Sequence, residues 1–371
     1  MSTPRLEFDL KKIHHNASAL GARLERLGIS VTGVTKACMG QPRYANILLS
    51  SGVSSLGDSR IENIETMRRG GVSAPITLIR SPMLSQVDRV VRHADTSFNS
   101  EQDVISALSA AALKAKCRHS VVLMVELGDL REGILPRDLL AVARQTLDCP
   151  NIDLRGIGTN LACRSGVAPD SKNMGELSRL ADMLDTACGP VTSVVSGGNS
   201  SNLKWALSGA DIGRINNLRL GEAILLGLDP LDRSPIAGLH TDAITLVAEV
   251  IESKLKPSQA WGVIAQTAFD DQVETRDCGT INQSILAIGQ QDIDPDGLTP
   301  PHGIEILGAS SDHLMLNTGK HSVAVGSEIE FQLNYSALLR AMTSPFVAKK
   351  YMKPIKETSM RSDFLITSLA S

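Results

Sequence analysis

One lysine, Lys36, closes the β-branched run Val31-Thr32-Gly33-Val34-Thr35. A lysine at the C-terminal end of a strand is held at the mouth of a fold, where desolvation lowers its pKa and makes the amine nucleophilic. The plain alternative is a solvated lysine at a strand end. Two later stretches have the chemistry of an anion cradle: Ser196-Gly197-Gly198-Asn199-Ser200-Ser201 and Arg219-Leu220-Gly221-Glu222. Glycines there let backbone N–H groups approach an anion, and a following helix N-terminus adds partial positive charge. The alternative for each is a tight turn with an Asn or Ser cap.

An imine-forming lysine beside a phosphate cradle suggests pyridoxal phosphate. Arg219 would then face the pyridine nitrogen. A guanidinium cannot accept that nitrogen's proton, so the ring stays neutral and drains carbanion charge weakly, which suits removal and return of a proton. An ion pair with Glu222 or Asp58 is the other reading of Arg219.

These residues need elements that bring them to one rim. Short apolar runs near 31–35, 53–57, 75–80, 95–98, 120–126, 152–159, 191–196 and 214–220 alternate with helical patterns. Eight such strands over about 210 residues predict a (β/α)8 TIM-type barrel, and in that fold the residues just after each strand share one face with the active site. His93–Phe98 is the weakest strand. The strand ends supply Lys36, Asp58 and Arg60, Arg80 and Ser81, Asn99, Arg131, Asn160 and the two glycine-containing segments. After about residue 236 the pattern becomes alternating, from Asp242 to Glu252 and again near 284–288, 304–307 and 323–333, with Gly and Pro between and no long helix. The expected organisation is α/β: a barrel over 11–235, followed by a mostly β C-terminal domain of 236–371 joined by residues 1–10. Asp9 is placed to cap the first helix. The polar stretch from Tyr351 to Ser371 reads as a mobile tail.

Composition narrows the function. With 371 residues, 42% hydrophobic and 21% charged, the chain is globular with ample core. A net charge of −3 without a basic run argues against nucleic acid and anionic membrane surfaces, and 3% aromatics against base stacking. The six cysteines form no Cys-x-x-Cys pair, and no signal pattern or spanning segment is visible, so a cytoplasmic, thiol-reduced protein without a metal site is expected.

Several long segments resemble the alanine racemase-like (fold type III) pyridoxal phosphate enzymes, and more closely their ornithine racemase branch. They include Val34-Thr35-Lys36, Asp58-Ser59-Arg60-Ile61-Glu62-Asn63-Ile64, Val125-Glu126-Leu127-Gly128-Asp129-Leu130-Arg131-Glu132-Gly133, Ile215-Asn216-Asn217-Leu218-Arg219-Leu220-Gly221-Glu222-Ala223 and Leu307-Gly308-Ala309-Ser310-Ser311-Asp312-His313. The resemblance implies that Lys36 carries the cofactor as an imine and is one of two racemisation bases. It implies that Arg131 contacts the cofactor's phenolic oxygen and the substrate carboxylate, and that Asn160 packs near the ring. Ser200, Tyr335 and the backbone N–H groups of Gly221 and Glu222 would hold the phosphate, and Arg219 the pyridine nitrogen. It further implies a head-to-tail homodimer in which each β domain covers the partner's barrel mouth.

Two departures stand out. Trp261 occupies the place of the tyrosine that serves as second base, and an indole takes no proton at neutral pH. Cys38-Met39-Gly40 replaces a phosphate-binding tyrosine after the lysine. Candidates for the second base are His313 and Asp312, then Asp292 and Cys278, with a hairpin cap as the alternative for the first two. Ornithine is the favoured substrate, with lysine, arginine or alanine behind it. Asp58, Glu62, Asp292 and Asp312 could receive a basic side chain or could be solvated charges. A non-catalytic pyridoxal phosphate-binding protein of the same barrel fold is the rival reading.

Overall fold

A computed structural model describes residues 4–266, 269 and 277–352. Eight parallel strands close into a barrel: β2 (Ser30–Val34), β3 (Ser55–Asp58), β4 (Ile76–Leu78), β5 (Thr96–Asn99), β6 (His119–Met124), β7 (Ile152–Gly158), β8 (Val194–Gly198) and β9 (Asn217–Leu220). β9 returns to β2, with Arg219 opposite Thr32. The fold class follows the sequence expectation. The weak strand is real but begins at Thr96, because His93 is the last residue of the preceding helix.

Among the described residues, nine helices run outside the barrel or beside its rims: α1 (Leu10–Glu25), α2 (Pro42–Ser50), α3 (Ile61–Arg69), α4 (Val87–His93), α5 (Gln102–Ala115), α6 (Leu139–Leu147), α7 (Ser171–Cys188), α8 (Leu203–Ala206) and α9 (Glu222–Leu226). In α1, Ile13, Ala17, Leu20 and Leu24 recur at three- and four-residue spacing and are all buried, the stripe that packs a helix on a sheet. Its cap is Asp9, whose carboxylate accepts from the N–H groups of Lys11 and Lys12.

The second sheet takes strands from both ends of the chain. Its path is β12 (Leu298–Thr299), β15 (Glu328–Leu333), β10 (Ile244–Pro257), β11 (Thr280–Leu286), β14 (Leu314–Asn317) and β13 (Glu305–Ala309), all antiparallel. The N-terminal strand β1 (Arg5–Asp9) lies antiparallel to β10 and parallel to β16 (Ala348–Met352). Leu6 faces Leu246, which faces Phe331, so one buried apolar row crosses three strands. Tyr351 stacks on Phe8 with ring centroids 4.8 Å apart, so the expected tail begins inside a strand; residues 353–371 lie outside the described residues.

Two features depart from the sequence reading of this sheet. The helix α10 (Tyr335–Thr343) is set among its strands, capped by Asn334, whose side-chain oxygen accepts from Ala337 N–H at 2.9 Å. Strand β10 is also unusually long. Ile244–Val250 is largely buried, but past a bulge between Val250 and Glu252 the strand continues with β11 as an exposed ribbon. Along and beyond it Leu255, Trp261, Val263 and Ile264 stand in solvent, each at least 70% exposed. Among the described residues no helix is long and apolar enough to cross a membrane.

Candidate active site

A cavity of about 600 Å³ opens at the C-terminal ends of the barrel strands. Lys36, Arg80, Arg131, Arg219 and Arg233 line it, against only two carboxylates, Glu132 and Glu222. A chain with net charge −3 thus concentrates cations at one place, as a site for an anionic ligand requires.

Lys36 opens a 3₁₀ turn directly after β2. The strand end is pinned from below, because Thr35 N–H donates to Gly57 C=O and its hydroxyl donates to the Asp58 carboxylate at 2.7 Å. The Lys36 amine lies 5.8 Å from the Tyr335 ring centroid, and among the described residues no hydrogen bond or ion pair holds it. Tyr335 is the first residue of α10, so the C-terminal domain reaches into the barrel mouth of its own chain. Burial raises the Tyr335 phenol well above its ordinary range, so it stays protonated.

Arg219 projects inward from β9 and is almost fully buried. Its guanidinium donates to Ser196 Oγ at 2.7 Å, Thr159 C=O at 2.8 Å and Asn160 Oδ1 at 3.2 Å, with Phe98 under its face at 5.1 Å. All these oxygens are neutral, so the alternative of an ion pair with Glu222 or Asp58 is overturned. Burial, with repulsion from Arg131, brings its pKa down to about 10. The network continues below, since Ser196 Oγ donates to Asn217 Oδ1, whose amide donates to Thr32 Oγ1.

Arg131 lies in the loop after β6. The Glu126 carboxylate gathers that loop by accepting from the N–H groups of Gly128, Leu130 and Arg131. The Arg131 guanidinium engages Glu132 through two parallel bonds, from Nε to Oε2 and from Nη2 to Oε1. Asn160 accepts from Asn199 as well as from Arg219, linking the ends of β7 and β8.

The two segments read from the sequence as an anion cradle meet at this cavity, on different supports from those expected. Ser200 Oγ accepts from Gly221 and Ala223 N–H at 3.4 and 3.2 Å, and Ser201 Oγ is buried without a partner. Gly198 has φ +145° and a Cβ there would lie 2.1 Å from Asn202 Oδ1, so the turn is closed to other residues. The following helices α8 and α9 have only four and five residues, so helix dipoles add little and the cradle rests on N–H and hydroxyl groups. Burial raises the Glu222 carboxyl above its ordinary range, only partly opposed by its ion pair with Arg233.

Residues 8–230 match the family described as alanine racemase, N-terminal domain. The chain belongs to the alanine racemase family. It is 38% identical over 354 residues to a lysine racemase of Thermotoga maritima, covering 95% of this chain and 99% of that one. It is 37% identical over 353 residues to an ornithine racemase of Acetoanaerobium sticklandii, covering 94% and 99%. Among solved structures, an alanine racemase from a D-cycloserine-producing Streptomyces lavendulae superimposes with TM-score 0.74 at 18% identity, covering 96% and 99%, which shows a shared fold.

Other residues singled out in the sequence of this alanine racemase family member lie elsewhere. Asp58 turns inward beneath the rim, accepting from Arg60 N–H and from the Asn63 side-chain amide, just ahead of and within the first turn of α3. Glu62 pairs with Arg89 on the outer surface, Asp292 accepts from Ser344, and Asn99 bonds within the barrel wall to Ser97. None of these lines the mouth. His313 Nδ1 lies 3.1 Å from Asp312 Oδ1 on the turn between β13 and β14, which is the hairpin-cap geometry, and neither residue lines the cavity of its own chain. Cys278 and Trp261 are exposed at the β10–β11 ribbon. Conversely, Glu132, Cys163 and Arg233 line the cavity without having been singled out as site residues. The adjacency of Glu132 to Arg131 in one loop was the visible signal for the first.

Proposed function

We propose that this chain is a pyridoxal phosphate-dependent amino-acid racemase whose substrate is a diamino acid, ornithine or lysine. The observation that carries the reading is the convergence of an unpartnered Lys36 amine, the Arg131 and Arg219 guanidiniums and a hydroxyl- and N–H-lined cradle on one 600 Å³ cavity. Two relatives of near-equal identity, named for lysine and ornithine, support the substrate class.

The residues present fit the cofactor. Ser200, Ser201, the Gly221 N–H and Tyr335 would hold its phosphate; the orphaned Ser201 hydroxyl is a donor awaiting an acceptor. Arg219 would face the pyridine nitrogen with Asn160 beside it, and Lys36 would anchor the opposite end. Bound there, pyridoxal phosphate acidifies the substrate Cα–H by delocalising the electron pair. The protein's part is positional and acid–base. Arg131 presents a planar fork to a carboxylate. Arg219, held by three neutral acceptors, cannot take up a proton, which keeps the electron sink weak and favours returning the proton to Cα. Lys36 Nζ removes or delivers that proton on one face.

Inversion needs a second group on the opposite face. The ribbon of β10 and β11, with Leu255, Trp261, Val263 and Ile264 exposed, has the character of a surface covered in an assembly. A head-to-tail homodimer would cover it and bring the exposed Asp312–His313 pair to a partner's barrel mouth as the second base.

The purified protein is tested by supplying pyridoxal phosphate and L-ornithine or L-lysine and separating the enantiomers on a chiral column. The expected result is convergence on a racemic mixture from either enantiomer. Cofactor binding without interconversion of any amino acid in a full panel would instead establish the non-catalytic reading.

A further inference from the structure

The Arg131–Glu132 pair poses a physical problem. Among the described residues, Arg131 is the only guanidinium of the cavity whose fork is matched by two parallel bonds to one carboxylate, the arrangement that any α-carboxylate would also adopt. Glu132 therefore shows what Arg131 binds, and it occupies the place. A carboxylate ligand must displace it. The pair is partly desolvated, with side-chain exposures of 35% and 27%, so a displaced Glu132 would be left as a half-buried, unpaired anion.

The chemistry of a diamino acid removes that penalty. Its α-carboxylate replaces Glu132 on Arg131, and its side-chain ammonium, three or four methylenes away, replaces Arg131 on Glu132. One ion pair becomes two, with no carboxylate orphaned. A monoamino acid completes only the first exchange. Glu222, the other carboxylate of the cavity, is less suited. It is held by Arg233 and stands one residue from Gly221 at the cradle, on the side that takes a phosphate.

We propose that Glu132 selects diamino acids, occupying the Arg131 fork in the free protein and receiving the substrate's side-chain ammonium when the α-carboxylate takes its place. This rests on the racemase reading for the role of Arg131, and its test separates the two.

The test uses the holoenzyme and its Glu132→Gln variant with L-ornithine and with L-norleucine, whose terminal methyl replaces the ammonium. Calorimetric titration with α-methylornithine and α-methylnorleucine, which have no Cα proton to lose, reads binding without turnover. Glu132→Gln should raise KM for ornithine about tenfold, equivalent to ~1.4 kcal/mol, with a smaller change in kcat. For norleucine KM should stay level or fall, since the competitor for Arg131 has been weakened. The α-methyl pair should show the same opposite trends in Kd.

A variant that weakens both ligands by the same factor would assign Glu132 a merely structural role. A variant that preserves the ornithine preference, or a wild-type protein without one, would overturn the proposal as well. If no amino acid is racemised at all, the functional reading fails alone, and the calorimetric comparison still decides the role of Glu132.

Discussion

Cavities of nearly equal size open at the two ends of the barrel. The mouth, about 600 Å³, is lined by Lys36, four arginines and two glutamates. The floor, about 610 Å³ at the opposite strand ends, is lined largely by hydroxyls and amides, among them Thr32, Ser55, Thr77, Thr96, Ser120 and Asn217. Phe98, Val122 and Met124 pack together between them, and Arg219 rests on Phe98 from above. Barrels of this kind usually fill their interior with branched apolar side chains. Here the apolar layer is thin, and polar space lies on both sides of it. Volume therefore does not mark the site; the unpaired amine and the convergent cations do. The floor offers water hydrogen-bonding partners, and its carboxylate, Asp95, is already engaged by Arg68 and by Ile76 N–H.

The comparison breaks first at Lys36. Lys36→Ala should lower racemisation by at least about 10³-fold and abolish the visible absorption of the bound cofactor. Retained turnover would remove the mouth's claim to be the active site. Arg219→Met comes next. Turnover should fall roughly 10²-fold, while the thermal midpoint changes little, because relief of a desolvated cation offsets the three acceptors that lose their Arg219 donor. A loss of stability with unchanged kcat would make Arg219 part of the septum and nothing more.

How much of this was legible in the sequence follows from which contacts are local. The eight barrel strands showed themselves as apolar runs between helical patterns, and the rule that strand ends share a rim brought Lys36, Arg131, Asn160, Ser200, Arg219 and Glu222 to one cavity. Asp58 obeys the same rule, yet its carboxylate folds back to bind Arg60 N–H and the Thr35 hydroxyl, a choice made by neighbours two to 23 residues away. Arg233 was missed because it arrives from a loop past α9, outside the strand-end register. Its partner Glu222 gave no hint of it. The helix α10 hid among alternating residues, being only nine residues long, and with it the way Tyr335 approaches Lys36. The projecting half of β10 could not be read at all, since a strand's pattern does not say where its sheet ends.

The barrel wall also holds titratable groups that neither cavity uses. His119, at the floor end of β6, is 1% exposed and bonds Ser97 Oγ at 2.8 Å. Burial lowers its pKa from 6.5 to about 4. Between those values the unfolded chain binds a proton that the folded chain refuses. The stabilisation is therefore complete above pH 6.5 and is lost as pH falls to about 4, by about 3 kcal/mol over the whole window. Urea midpoints measured from pH 7 to pH 4 should show this slope, and His119→Gln should flatten it. An unchanged slope would place the acid sensitivity elsewhere.

The smallest expected effect is the most demanding of the contrast. Thr77 lines the floor, and its hydroxyl needs only what water can supply. Thr77→Val keeps the shape and removes that hydroxyl, so stability should move within about 0.5 kcal/mol and kcat/KM within about twofold. Asn217 lines the same floor yet connects through Ser196 to Arg219, so Asn217→Leu leaves the Ser196 hydroxyl without its acceptor and loosens the guanidinium. That should cost about 1–3 kcal/mol and lower kcat several-fold. Two floor residues with unequal consequences would mean that the floor matters only where a hydrogen bond crosses the septum. If Thr77→Val lowered kcat/KM as much as Asn217→Leu, the hydrated floor as a whole would be coupled to the mouth, and the division drawn at Phe98 would not stand.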